Sequence, residues 1–216
     1  MNLETFINSK IISDLNSIVA SVNVFLEGGC LYKNTEPCEL SNLHSNIRDG
    51  KDVDILRNNL YSLSKKSHYI LQIGLNACHS CALFYHASPS ASIVGFDLFN
   101  HPYTESCTNY LSFNRRLKLK TFRGNTLDTL PKYETDEKFD LIHIDGGQQI
   151  EVLQNDITQC KRFANKYTYI VVDDTNFENQ KQVLDEYIQT HMIQEIDYEV
   201  EGLQRTPLHR IFHYQW

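Results

Sequence analysis

No stretch of the chain stays apolar long enough to cross a bilayer. Its first twenty residues, "MNLETFINSKIISDLNSIVA", lack a basic segment followed by an unbroken apolar run, so no signal peptide is expected. Positive charge is also short. Twenty Lys and Arg stand against 27 Asp and Glu, a net charge of -7, and a polyanion needs a positive surface. A nucleic-acid partner is therefore not expected. Glycine is scarce, nine in 216 residues, and only Gly74 stands at the turn where a nucleotide-binding loop would carry three. Six cysteines are scattered through a chain long enough to build a core without disulfides, which fits reduced thiols and a cytoplasmic location.

What is present is a globular balance: 41% hydrophobic and 22% charged residues, with 12 Tyr and 11 Phe. Apolar positions from Leu3 to Phe25 recur at helical spacing and predict one or two helices. Residues 30–52 are polar and irregular, punctuated by Pro37 and Gly50, and read as a loop over the substrate. "DVDILRNNLYSLSKK" then resumes helical spacing through Val53, Leu56, Leu60 and Leu63.

From residue 69 short apolar runs alternate with amphipathic segments. Strands are predicted at 69–74, 92–97, 118–124, 139–145 and 167–174, with helices near 78–87, 104–116, 126–131, 149–164 and 177–190. Such alternation predicts a mostly parallel sheet covered on both faces. "EIDYEV" (195–200) and "LHRIFHY" (208–214) are too close for a helical crossover and predict an antiparallel hairpin at the edge. The fold expected is a Rossmann-like, doubly wound α/β sheet of seven strands with a C-terminal hairpin. Residues 1–60 form an N-terminal helical extension and possible lid, and residues 61–216 the sheet domain.

In an open parallel sheet, ligands bind beyond the carboxyl ends of the strands. Those ends carry Gly74, Asp97, Gly124 with Asn125, Asp145 with Gly146 and Gly147, and Asp173 with Asp174. Asp97 follows Gly74 by 23 positions, near the roughly 20-residue offset at which an acid accepts from a ribose. The alternative is an Asp that caps the following helix. Asn76 tolerates the left-handed backbone that such a corner needs.

Five segments in this order, "LQIGLNACHSCALF", "VGFDLFNHPYT", "FRGNTLDTLP", "FDLIHIDGGQ" and "YIVVDDT", resemble the successive motifs of class I S-adenosylmethionine-dependent methyltransferases. The nearest group is the small O-methyltransferases with an "IDGGH"-type fourth strand, similar to catechol, caffeoyl-CoA and macrolide-sugar O-methyltransferases. The resemblance covers about residues 65–175. It implies that Gly74 and Asn76 underlie the methionine part of S-adenosylmethionine, Asp97 holds the ribose, and Leu98 flanks the adenine. It further implies Gly124 and Asn125 along the adenine edge, with Asp145 and Gly146 closing the pocket near the sulfonium. The catechol-type metal pattern falls on Asp145, Asp173 and Asp174, oxygen donors suited to Mg²⁺, which would lower the pKa of an acceptor hydroxyl. Those three aspartates could instead cap a helix and contact a cofactor amine.

Three positions depart from the group's pattern. Gln72 replaces an acid in the first strand, Cys78 a glycine, and Gln148 the histidine of "IDGGH". A glutamine amide cannot take a proton. Metal activation then suffices alone, or His101 or His143 serves as base, or the chain is a silent binding scaffold. His143 otherwise reads as structural, lying within an apolar strand. "CHSC" at 78–81 raises a thiol-redox alternative, although Cys78, Cys81, Ala82 and Tyr85 share the core-facing stripe of a helix. The expected enzyme acts on a small-molecule acceptor with Asp145 and His101 as catalytic residues. A homodimer is compatible with the sequence, though no motif specifies one.

Overall fold

The computed structural model describes residues 3–22, 24 and 51–216; the expected lid at 30–52 falls largely outside them. Helices α1 (Leu3–Ile7), α2 (Lys10–Ser21) and α3 (Lys51–Lys65) precede strand β1 (Tyr69–Ile73). Then come α4 (His79–Ala87), β2 (Ser92–Asp97), α5 (Thr104–Asn109), a π-helical turn (Tyr110–Asn114) and β3 (Lys118–Arg123). The chain continues through α6 (Thr126–Thr129), β4 (Leu141–Ile144), α7 (Ile150–Cys160), a 3₁₀ turn (Lys161–Phe163) and β5 (Tyr169–Asp173). It closes with α8 (Glu178–Gln189), β6 (Ile193–Glu195), α9 (Tyr198–Glu201) and β7 (His209–Tyr214).

The seven strands lie in the order β3-β2-β1-β4-β5-β7-β6. β1 to β5 are mutually parallel, and β7 pairs antiparallel with both β5 and β6. The hairpin is thus present at the edge, but one expected strand is corrected. β6 covers 193–195, whereas 198–201 is helical. Local chemistry explains the change: the Asp197 carboxylate accepts from the Glu199 and Val200 N–H groups, and Gly202 (φ +67°) ends the turn left-handed.

Alternation along each strand sorts side chains into two cores. Ile70, Leu141, Val171 and Ile211 face the layer containing α2, α3 and α4. Leu71, Ile73, Ile142, Ile144, Ile170, Val172 and Phe212 face α7 and α8 through Leu153, Ile157, Val183 and Leu184. Each such fully buried aliphatic side chain contributes about 1.5–3 kcal/mol. Ile11, Ile12, Leu15 and Val19 of α2 belong to the first core, so the N-terminal helices are packed into the sheet domain. The order of strands reverses between β1 and β4, and the ends of those two strands form the crevice where such folds bind ligands.

Candidate active site

The corner after β1 is set by close packing. Gly74 has φ +79°, and a Cβ there would lie 1.9 Å from the Asp145 carbonyl oxygen. Only glycine lets the ends of β1 and β4 approach so nearly. Asn76 (φ +48°) and Cys78 (φ +63°) supply two more left-handed residues. The Asn76 Oδ1 accepts from the Tyr103 hydroxyl at 2.7 Å, while the Cys78 side chain is buried in the core.

Asp97, at the end of β2, binds this corner. Its Oδ2 accepts from the Leu75 N–H at 2.7 Å and the Asn76 N–H at 3.1 Å, and its Oδ1 from the Phe99 N–H at 2.5 Å. A carboxylate offers about four lone-pair sites, so these three bonds leave a further acceptor site. Leu98 beside it is 55% exposed. Gly124 (φ +135°) donates its N–H to the Asp97 carbonyl, and the Asn125 Oδ1 caps α6 by accepting from the Leu127 N–H. His101 stacks on Tyr103 with ring centroids 5.2 Å apart and nearly parallel planes.

The acidic rim lies at the ends of β4 and β5. His143 and Asp145 are two apart on β4, so both project to the face that carries Gln72 of β1. His143 is in register with Val171, which puts Asp173 on that same face, level with Asp145. The result is one cluster: ligand atoms of His143, Asp145 and Asp173 all lie within 4.8 Å of one another. Asp174 lines a cleft with Asp145 and Asp173, but its carboxylate lies outside this cluster and accepts from Gln148 Nε2 at 2.8 Å. Among the described residues, the metal-competent set is thus two aspartates and a histidine, in place of the three aspartates expected.

His143 is fully buried, and burial lowers its pKa to about 3, so the ring is neutral. Its Nδ1 lies 2.8 Å from Gln72 Oε1, and its Nε2 stands 3.9 Å from the Asp173 carboxylate. The sequence offered this residue as structural or as an alternative base, not as a metal ligand, although the H-x-D spacing signalled a face shared with Asp145. Asp156, also missed, sits behind Gly146; burial raises its carboxyl pKa to about 6.

The cysteines tell against the redox alternative. Cys78 and Cys81 are buried, and burial pushes Cys81 up to about 12, the opposite of a reactive thiolate.

Residues 71–175 match the family model described as a methyltransferase domain. The matched stretch begins within β1 and ends just past β5, so it contains the strand-order reversal and its crevice. No curated protein matches the sequence. Among solved structures the chain is similar to the O-methyltransferase TomG from Streptomyces achromogenes, involved in tomaymycin synthesis and solved with S-adenosylmethionine. Identity is 13%, coverage 96% of this chain and 91% of that one, and the TM-score 0.62. CalS11, a TDP-rhamnose 3'-O-methyltransferase of calicheamicin biosynthesis, is 15% identical over 96% of both chains, with a TM-score of 0.60. The N-methyltransferase NodS from Bradyrhizobium japonicum, solved with S-adenosylhomocysteine, is 14% identical over 96% of this chain and 100% of its own, with a TM-score of 0.56. At these identities the likeness is one of fold, and it spans proteins that methylate oxygen and nitrogen alike. Among the described residues, no helix is long and apolar enough to cross a membrane.

Proposed function

We propose that this chain transfers a methyl group from S-adenosylmethionine to a hydroxyl of a small molecule, with a divalent cation at the β4 and β5 ends. The observation that carries the reading is the division of the strand-end rim. One half, Gly74, Asn76, Asp97 and Leu98, offers a turn, an acid with a spare acceptor site and an apolar flank, as a nucleoside requires. The other half, Asp145 and Asp173, offers carboxylates to a cation and thence to an acceptor oxygen.

Methyl transfer is a direct displacement: the acceptor oxygen forms a bond to the methyl carbon as the carbon–sulfur bond breaks, leaving S-adenosylhomocysteine. Most of the acceleration then comes from alignment. A cation held beside Asp145 would lower the pKa of the acceptor hydroxyl. Asp145 and Asp173 would hold the cation, Asp145 and Gly146 close the pocket near the sulfonium, and His101, beyond the end of β2, takes the released proton. Gly124 and Asn125 shape the adenine side. The O-methyltransferases among the structural neighbours support oxygen as acceptor, although an N-methyltransferase shares the fold.

Calorimetry with S-adenosylmethionine and S-adenosylhomocysteine tests the cofactor. Formation of S-adenosylhomocysteine over a panel of phenols, sugar hydroxyls and amines tests the acceptor. Binding of both cofactors with turnover on hydroxyls is expected; absence of binding leaves a scaffold, and turnover on amines alone overturns the choice of oxygen.

A further inference from the structure

The cation half of the proposed function can be taken further, because Gln72 fixes which nitrogen of His143 faces the acidic rim. The Gln72 side-chain nitrogen lies 3.0 Å from the Ile73 carbonyl and 2.6 Å from the Gly74 carbonyl. Two acceptors at one atom require that atom to be the amide NH₂, so the other must be the carbonyl Oε1. Oε1 can only accept, and its partner is His143 Nδ1 at 2.8 Å. Nδ1 therefore carries the hydrogen. In a neutral imidazole the opposite nitrogen then holds a bare lone pair.

That lone pair is on Nε2, which is buried and has no hydrogen-bond partner. Nε2 lies 3.9 Å from Asp173 Oδ2, in the group that includes Asp145. Three electron-rich atoms so arranged have no mutual hydrogen bond to offer, and a buried acceptor left without a donor is costly. A cation there would give Nε2 its missing partner within reach of both carboxylates. The other nitrogen of a metal-bound imidazole ordinarily donates to a carbonyl or carboxylate, the part Gln72 plays.

We propose that His143 Nε2, Asp145 and Asp173 form a mixed nitrogen and oxygen site selective for a transition-series divalent cation, with Gln72 as the positioning residue that fixes the imidazole. Three aspartates would favour Mg²⁺; one imidazole with two carboxylates favours Zn²⁺, Co²⁺ or Mn²⁺. The departure at Gln72 thus acquires a purpose. An ionised acid there would face the Ile73 and Gly74 carbonyls, whereas the amide bonds both and still receives the Nδ1 hydrogen.

The test uses the full chain, stripped with a chelator and titrated with Zn²⁺, Co²⁺, Mn²⁺ or Mg²⁺ alone. One equivalent of Zn²⁺ or Co²⁺ should bind at least about 100-fold more tightly than Mg²⁺. In ¹⁵N-histidine-labelled protein, Zn²⁺ should shift the unprotonated nitrogen of one buried imidazole held as its Nδ1–H tautomer. His143→Asn should abolish the preference for Zn²⁺ over Mg²⁺, and Gln72→Leu should weaken Zn²⁺ binding about 10–100-fold. Asp174→Asn should leave it unchanged. The labelled wild-type chain decides the matter if either buried variant fails to fold. Equal affinity for Zn²⁺ and Mg²⁺, no binding of any of the four ions, or no imidazole shift overturns the proposal. S-adenosylhomocysteine affinity is measured in parallel: cofactor binding without metal binding sinks this site alone, and metal binding without cofactor binding sinks the methyltransferase reading alone.

Discussion

The backbone of Gly74 packs so closely on that of Asp145 that the Asp145 carbonyl oxygen lies 1.9 Å from the place a Cβ on Gly74 would take. This contact sets how closely the ends of β1 and β4 approach at the strand-order reversal. Gly74→Ala combines a backbone clash with a left-handed conformation. It should destabilise the fold by on the order of 3 kcal/mol or more in urea unfolding, and a loss within 0.5 kcal/mol would show that the contact is easily relieved.

Asp97 serves the corner through three backbone N–H groups, so its removal should affect stability as well as binding. Asp97→Ala is expected to cost about 1–3 kcal/mol and to lower S-adenosylhomocysteine affinity at least about tenfold. Asp97→Asn, which keeps one acceptor oxygen, should fall between wild type and alanine in both. Calorimetry and urea denaturation measure the pair; unchanged affinity in Asp97→Ala would remove this residue from the ribose site.

A third expectation concerns pH. Burial raises Asp156 from 3.8 to about 6, so the folded chain holds a proton there that the unfolded chain releases. Its contribution to stability is complete below about pH 4 and is lost as pH rises through about 6. Two pKa units correspond to roughly 3 kcal/mol, an upper bound. Asp156→Asn should therefore gain stability relative to wild type as pH rises from 4 to 7, in paired urea titrations at several pH values. A pH-independent difference would place the charge-free form outside the folded state.

The N-terminal helices are joined to the sheet domain by a polar contact as well as by packing. Asp14 Oδ2 accepts from the Tyr110 hydroxyl at 2.5 Å and from Arg115 Nη2 at 3.2 Å, tying α2 to the π-helical turn. Asp14→Ala should cost about 1 kcal/mol and should raise amide exchange in α2 more than in β1. Equal exchange in α2 before and after substitution would show that the apolar face alone holds the helix.

Much of the sheet was legible because buried parallel strands are short apolar runs bounded by turn residues, and β1, β2 and β4 stand out as such. The segment 195–200 misled for a local reason. Its alternation suits a strand, yet Asp197 offers a helix cap and Gly202 a left-handed stop, and two hydrogen bonds to the cap outweigh a weak alternation. Rim positions were legible too, since strand ends fall where apolar runs stop.

The linear chain by itself determined the alternation of strands and helices, the polar residues that end each strand, and which residues share a face, because side-chain direction follows from position along a strand. Only the tertiary structure decided which of those polar residues meet. The strand order brought β1, β4 and β5 side by side, and their register set Gln72, His143, Asp145 and Asp173 on one face. A hydrogen bond between residues 71 positions apart then fixed a proton on one nitrogen and left the other bare. Chemistry of that kind depends on distances between strands, which no spacing along the chain encodes.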